Sequence, residues 1–202
     1  MIYYLFEILG TLVFAIAGAQ RGVEKKMDIF GCAVLAFATA IGGGTLRDVM
    51  LGITPVSWTR DIYTILTIFC GVLLAFFLEK SRLQHQKTTL KLLFLFDTIG
   101  ISLFTILGIE KAYSVEVSGL VALMMGISTA VFGGVVRDLL AGEIPLVLRK
   151  EVYATACLAG GVVYLALKQT EISRDVQILI TSLTIFCIRF FAVKYNWKLP
   201  SF

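Results

Sequence analysis

Residues 43–55 read G-G-T-L-R-D-V-M-L-G-I-T-P, and residues 133–145 read G-G-V-V-R-D-L-L-A-G-E-I-P, ninety positions later. Extended back to residues 39 and 129, the two stretches share 8 identities in 17 aligned positions without a gap. The same offset pairs Phe14 with Phe104 and Tyr63 with Tyr153. One offset kept over separate segments indicates an internal duplication, and a repeat constrains a fold more than any other sequence feature.

The composition is typical of a membrane protein. Of the 202 residues, 58% are hydrophobic and 16% charged, with a mean hydropathy of +0.88. Soluble domains carry about 45–50% apolar and about 25% charged residues, so this chain has too few polar residues to cover seven buried helices. A bilayer-spanning helix needs roughly 20 apolar residues. Seven segments reach or approach that length: 2–20, 29–51, 62–78, 90–109, 117–140, 152–167 and 176–193. We therefore expect an all-α integral membrane protein with seven transmembrane helices.

The basic residues predict how the chain is oriented. Four lysines and arginines fall on the side of the N-terminus, eleven on the opposite side and three inside spans. Because cytoplasmic loops carry the excess of positive charge, the N-terminus is expected outside and the C-terminus in the cytoplasm. The net charge of +4 is explained by this bias, so no nucleic-acid partner is expected. Aromatic residues at the predicted membrane interfaces indicate a belt in contact with lipid: Tyr3, Tyr4, Trp58, Tyr63, Tyr113, Tyr195 and Trp197.

Each copy of the repeat contains three spans. Because three is an odd number, the second copy must enter the membrane from the side opposite to the first. The expected architecture is therefore two inverted three-helix repeats, residues 1–84 and 85–174, followed by a seventh helix and a short cytoplasmic tail, residues 175–202.

Glycines lie near the middle of the second and fifth spans. They are Gly42, Gly43 and Gly44 in one copy, and Gly133 and Gly134 in the other, where Phe132 stands in place of a third glycine. Interrupted helices at matched places in two halves are typical of a transport site. We expect both helices to break there, with hydroxyls of Thr39, Ser128 and Thr129 bonding the freed carbonyls or water. The alternative is a tight helix crossing through small residues.

An arginine–aspartate pair follows each glycine run: Arg47-Asp48 and Arg137-Asp138. A charge inside a span costs about 2.5 to 3.5 kcal/mol, so such residues face protein or water. Neighbours on a helix point about 100° apart, and each arginine is therefore expected to pair with a carboxylate of the other repeat. Glu7 and Asp97, matched by the repeat, are candidate partners. The alternative is that the charged side chains extend to the interface, which is the favoured interpretation for Arg189 in the seventh span.

Nothing in the sequence predicts an enzyme, a metal site or a bound cofactor. The four cysteines all lie inside spans without C-x-x-C spacing, and the single histidine, His85, lies in a basic loop. No side chains combine a nucleophile with a base.

The duplicated G-G-x-x-R-D element followed by G-x-x-P, among seven apolar spans, resembles the prokaryotic TRIC family of trimeric intracellular cation channels, a family also labelled as a glycine transporter domain. The resemblance covers the whole chain. It implies a homotrimer in the lipid of a bacterial or archaeal cell membrane, with one pore in each protomer lined by kinked second and fifth helices. The family's kinks map onto Gly42, Gly43, Gly44, Gly133 and Gly134, and its pore charges map onto Arg47, Asp48, Arg137 and Asp138.

Two functions follow from these features. The first is a channel for monovalent cations, K⁺ or Na⁺, with potassium the expected ion. The second is a secondary transporter of a small zwitterion such as glycine, because an arginine and an aspartate could hold its carboxylate and its amine. The third hypothesis is a structural membrane protein without transport activity.

Overall fold

The computed structural model describes residues 2–80, 86–149 and 152–197, which form seven α-helices and no strands. His85 lies outside these residues. The helices are α1 Ile2–Glu24, α2 Ile29–Met50, α3 Ile62–Lys80, α4 Gln86–Tyr113, α5 Gly119–Leu140, α6 Ala154–Leu167 and α7 Arg174–Lys194. A short 3₁₀ turn follows α2 at Ser57–Arg60, and another follows α5 at Leu146–Leu148. The prediction of seven apolar helices is confirmed.

Five helices are long and apolar enough to cross a membrane, namely α1, α2, α4, α5 and α7. The apolar part of α3, Ile62–Leu78, and the whole of α6 are shorter. The 14 residues of α6 reach only about 21 Å at about 1.5 Å per residue. In each copy a 3₁₀ turn precedes the third helix, which is α3 in the first copy and α6 in the second.

The two copies begin and end their second helix in the same way. Asp28 caps α2 by accepting a hydrogen bond from the Gly31 amide at 2.7 Å, and Ser118, ninety residues on, caps α5. At the other end, Gly52 and Gly142 adopt φ of +68° and +69°. Glycine tolerates this left-handed conformation and ends a helix. The G-x-x-P elements therefore lie where both helices end.

The second helices of the two copies cross in direct backbone contact. A Cβ placed on Gly43 would lie 1.9 Å from the carbonyl oxygen of Thr129, and one placed on Gly133 would lie 2.3 Å from the carbonyl oxygen of Thr39. These contacts are reciprocal, because the four residues are two pairs related by the offset of ninety. Residue numbers rise along α2 as they fall along α5, so the two helices run antiparallel where they cross.

The first helices of the two copies meet in the same reciprocal manner. Phe14 stacks on Phe104 with ring centroids 5.0 Å apart and an interplanar angle of 16°. Gly10 faces the ring of Phe104, and Gly100 faces the ring of Phe14. The small residue of each helix thus makes room for the aromatic ring of the other.

The prediction that α2 and α5 break at their glycines is wrong. Both helices continue without interruption, through Gly42–Gly44 and through Gly133–Gly134. The hydroxyls of Thr39 and Thr129 do not fill a break either, since each bonds the carbonyl four residues earlier in its own helix at 2.6 Å. The physical reason is that missing side chains let two backbones approach closely, and close packing is what associates helices in lipid. The alternative interpretation, a tight crossing, is the correct one.

An ion pair at the protein surface links the two copies just past the C-terminal end of α5. Lys25, just after α1, donates to Glu143, just after α5, at 2.5 Å, and Arg149 bonds the second oxygen of Glu143 at 2.9 Å. The hydrogen bond from Lys25 lowers the pKa of Glu143. Because the folded pKa lies below the unfolded value, the pair stabilises the fold at pH values above the ordinary pKa of a glutamate, and this contribution is lost as pH falls through the lower folded value.

We expect Lys25→Met to lower the Tm at pH 7 by at most about 3 °C, since exposed ion pairs contribute little. The Tm difference from the parent should shrink as the pH falls through the depressed pKa of Glu143, and also in 1 M salt. Lys26→Met is the control, since Lys26 is an exposed neighbour with no ion pair to any residue that the structure describes. Thermal unfolding in detergent at a series of pH values checks this, and a difference that grows towards acid would contradict it.

Candidate functional site

A cavity opens beside α2 on the C-terminal side of the crossing. It is lined by polar and charged side chains together with aromatic and small residues: Glu7, Thr11, Ala40, Ile41, Gly44, Arg47, Asp48, Ser57, Trp58, Thr64 and Phe104. We call it the Glu7 cavity. Its volume of about 30 Å³ has room for about two waters, since one water needs roughly 10–15 Å³.

The Glu7 cavity is built around one arginine and two carboxylates. Arg47 donates to Oδ1 of Asp48 from Nε at 2.8 Å and from Nη2 at 2.6 Å. The other oxygen of Asp48 accepts from the amide of Ser57 at 2.8 Å, at the first residue of the 3₁₀ turn. Glu7 is partly buried and makes no hydrogen bond or ion pair among the described residues. Its carboxylate is therefore the available acceptor in the cavity.

The matched residues of the second copy form a second charged site, which we call the Asp97 cluster: Asp97, Arg137 and Asp138. Arg137 donates to Asp97 from Nη1 at 2.6 Å and to Asp138 from Nε at 2.9 Å. The second oxygen of Asp138 accepts from the amide of Leu146, again the first residue of a 3₁₀ turn. Arg21 of the first copy lies 3.8 Å from Asp138. Because α2 and α5 run antiparallel, the Asp97 cluster and the Glu7 cavity lie at opposite ends of the crossing.

The predicted pairing of each arginine with the other repeat is wrong. Arg47 and Arg137 both fold back onto the aspartate that follows them, since an arginine side chain is long enough to close the gap between neighbouring helix positions. The further partner of Arg137, Asp97, belongs to the same copy. At these two charged sites the contact between copies is made instead by Arg21, which sequence reasoning did not single out.

The arginines do not extend to the interface. Arg47 is 5%, Arg137 0% and Arg189 1% exposed. For Arg189 this overturns the favoured interpretation. Its guanidinium lies over the rings of Tyr153 and Phe94, with centroid distances of 4.7 and 5.2 Å, and it donates to the carbonyl of Val152 at 3.2 Å. Burial is possible because α7 packs against α4 and α6, and the partners lie in α4 and in the two residues just before α6.

The remaining predicted site residues are divided between the cavity and the crossing. Gly44 lines the Glu7 cavity, whereas Gly42 faces the Cα of Gly133 at the crossing. Phe132 and Ser128 are partly buried in α5 and do not line the cavity. Gly134 lies beside Arg137 and beneath the hydroxyl of Tyr153.

Trp58 and Tyr153 are two further site residues that sequence reasoning missed. Trp58, assigned to the aromatic belt, donates to the hydroxyl of Thr45 at 3.1 Å and lines the Glu7 cavity. The signal that could have placed it was its position three residues after Pro55, where the chain turns back over α2. For Tyr153 the signal was its match with Tyr63, but that match does not say which of the two is buried.

Among the described residues, no three histidine, cysteine or carboxylate side chains are grouped to hold a metal ion.

The fold and sequence both match known membrane proteins. A family model described as "Glycine transporter" matches residues 4–80 and 94–169, one range in each copy. A "UPF0126 membrane protein" of Vibrio cholerae is 40% identical over 98% of this chain and 82% of its own length. The "UPF0126 inner membrane protein YadS" of Escherichia coli K12 is 37% identical over 100% of this chain and 97% of its own.

Solved structures of membrane channels also match this chain. The TRIC trimeric intracellular cation channel orthologue of Rhodobacter sphaeroides superimposes with a TM-score of 0.90 at 33% identity, over 96% of this chain and 98% of that one. A prokaryotic TRIC channel determined in 0.5 M KCl has a TM-score of 0.88 at 32% identity, over 98% and 99% of the two chains. The chain is thus an integral membrane protein, and it belongs to the prokaryotic TRIC family, whose sequence model is described as "Glycine transporter".

Proposed function

We propose that the protein is a monovalent cation channel that conducts K⁺, with one pore in each protomer of a homotrimer. The pore passes between two inverted three-helix repeats, residues 1–84 and 85–174, and is lined by α2 and α5. The excess of positive residues on the side of the C-terminus supports an orientation with the N-terminus outside and the C-terminus in the cytoplasm. The Glu7 cavity is then the outer end of the pore and the Asp97 cluster is its inner end.

The observation that carries this proposal is the charge balance at the two ends. In the Glu7 cavity, the one guanidinium of Arg47 is offset by the carboxylates of Glu7 and Asp48, which leaves one net negative charge. The Asp97 cluster repeats this balance, with Arg137 against Asp97 and Asp138. Arg21 adds no net charge, because it also pairs with Glu24 at 2.7 Å, but Arg189, over the ring of Tyr153 beside this cluster, adds one positive charge. An excess of one sign of charge raises the local concentration of the opposite ion, and the net negative charge of the Glu7 cavity favours cations.

A glycine transporter is the second candidate, supported by the description of the matching family model. The Glu7 cavity contains both a carboxylate for an amine and a guanidinium for a carboxylate. However, the Glu7 cavity has room for only about two waters, which is less than the five heavy atoms of a glycine require. The cavity therefore fits a small cation better than a zwitterion.

Flux into proteoliposomes separates the two candidates. We expect liposomes with purified protein to admit K⁺ along its gradient at a rate that rises in proportion to concentration and does not respond to added glycine. Empty liposomes, and liposomes with an unrelated membrane protein, are the controls. Saturable glycine uptake without K⁺ flux would reject the channel in favour of the transporter.

Glu7→Gln should reduce K⁺ flux several-fold at low ionic strength, because it removes the net negative charge of the Glu7 cavity. The effect should be largest near 0.01 M salt, where the screening length is about 30 Å, and small near 1 M, where it is about 3 Å. Glu171→Gln, in the exposed loop before α7, is the matched control. Equal flux from Glu7→Gln and the parent at low salt would place Glu7 outside the pore.

A further inference from the structure

Gly134 in α5 faces a point that polar groups surround. A Cβ placed on this glycine would lie 3.0 Å from the hydroxyl oxygen of Tyr153, 3.7 Å from Nη2 of Arg137 and 3.7 Å from Oδ1 of Asp97. Apart from the neighbouring backbone of α5, these are the nearest atoms of the described residues. Gly134 therefore borders a small polar space, whereas Gly43 and Gly133 face the backbone of another helix.

The groups around this point have hydrogen-bonding capacity that the protein does not use. The hydroxyl of Tyr153, Nη2 of Arg137 and Oδ2 of Asp97 are buried without a hydrogen-bond partner among the described residues. The other nitrogens of Arg137 are engaged, since Nε donates to Asp138 and Nη1 to Asp97. Buried polar atoms are nearly always paired with protein or with ordered water. Three unpaired atoms around one point therefore indicate a bound ligand.

The chemistry of the three atoms identifies the ligand as water. A guanidinium only donates hydrogen bonds, and an ionised carboxylate only accepts them. A ligand that satisfies both must accept from Arg137 and donate to Asp97. A bare cation cannot accept a hydrogen bond and a simple anion cannot donate one, but water does both. Buried waters typically make about three hydrogen bonds, which is the number of unpaired atoms at this point.

We propose that one buried water molecule is bound beside Gly134, where it accepts a hydrogen bond from Nη2 of Arg137, donates one to Oδ2 of Asp97 and bonds the hydroxyl of Tyr153. The missing side chain of Gly134 provides the space for this water. The water is a fixed part of the structure that joins α4, α5 and the segment just before α6. The inference does not require that the protein conducts ions.

Serine and alanine at position 134 test for this water by thermal unfolding in detergent. Both place a Cβ close to the Tyr153 hydroxyl, but only serine supplies an oxygen that replaces the water. We therefore expect Gly134→Ser to unfold about 2–4 °C above Gly134→Ala, the shift that one hydrogen bond gives in a chain of this length. Ala166→Ser, at an exposed position of α6, is the control and should lower the Tm slightly, because alanine is the better helix former. Serine less stable than alanine at position 134 as well would overturn the proposal.

X-ray footprinting of the protein in liposomes detects the water itself, because radicals formed from a bound water oxidise the side chains that it touches. Although Tyr153 is only 1% exposed, we expect its oxidation in the parent to exceed that in Gly134→Ser several-fold. Tyr164 is equally buried but bonds Glu110, so its oxidation should be the same in both proteins. Equal oxidation of Tyr153 in the two proteins would contradict the site.

The parent alone decides the matter if neither variant at position 134 folds. Phe14 is as buried as Tyr153 but lies in an apolar stack, so a bound water should make Tyr153 the more oxidised of the two. Oxidation of Tyr153 no greater than that of Phe14 would reject the water.

The salt in the buffer distinguishes a water from an ion. A cation bound at this point would raise the Tm of the parent in KCl relative to choline chloride at the same ionic strength. We expect the Tm difference between the parent and Gly134→Ser to be the same in both salts. A difference that grows with K⁺ concentration would overturn the assignment of the ligand as water.

Discussion

Replacing Gly43 with alanine should destabilise the protein by about 3 kcal/mol, the largest effect expected of any single methyl group in this chain. The added Cβ would lie 1.9 Å from the carbonyl oxygen of Thr129, which is backbone and cannot rotate away. Overpacking of a tight contact costs typically about 1–3 kcal/mol and occasionally more. In an open helix position the same change would instead gain about 1 kcal/mol.

Gly44→Ala is the matched control, one residue along the same helix. Its Cβ would meet nothing closer than the Arg47 guanidinium at 3.8 Å, so its Tm should equal or exceed that of the parent. For Gly43→Ala the decrease should be roughly 6 to 12 °C, with loss of monodisperse protein in size-exclusion chromatography. If both variants melted with the parent, α2 and α5 would not cross in backbone contact.

Arg137→Met should cost about 3–5 kcal/mol, because it leaves the buried carboxylate of Asp97 without its cation and leaves Asp138 only Arg21 at 3.8 Å. Both pairs are short, at 2.6 and 2.9 Å, and all three side chains are at most 1% exposed. Arg149→Met, which removes an arginine that is 40% exposed and paired with Glu143, should cost less than about 1 kcal/mol. The measurement is thermal unfolding of both variants in one detergent.

A second substitution separates the charge from the packing at this site. Asp97→Asn in the Arg137→Met background removes one unpaired negative charge and should recover part of the lost Tm. A double variant no more stable than Arg137→Met would show that packing of the arginine, and not its charge, is what the Asp97 cluster requires.

Much of the fold was predictable because its causes are local or repeated in the sequence. Hydrophobic runs mark the helices, and Gly52 and Gly142 mark where α2 and α5 end. The offset of ninety anticipates the reciprocal contacts of Phe14 with Phe104. Asp97 was named from the sequence as a candidate partner of an arginine, because opposite charges inside spans need partners, and it pairs with Arg137.

The rest depends on three-dimensional contacts that no sequence pattern specifies. A run of glycines is equally compatible with a break and with a crossing, and only the carbonyl of Thr129 against Gly43 decides between them. Helix geometry argued against a pair between Arg47 and Asp48, but the length of the arginine side chain overrides it. Tyr63 and Tyr153 are matched by the repeat, and only the structure shows that Tyr153 is buried beneath Arg189 whereas Tyr63 is exposed.

Unitary currents in a planar bilayer test the central claim most directly. Purified protein between symmetric KCl solutions should give discrete current steps, and a KCl gradient should shift the reversal potential towards the equilibrium potential of K⁺. Glu7→Gln should reduce the step size at low salt and leave it nearly unchanged at high salt. A folded protein that gives no steps, or whose reversal potential follows chloride, would contradict a cation pore between α2 and α5.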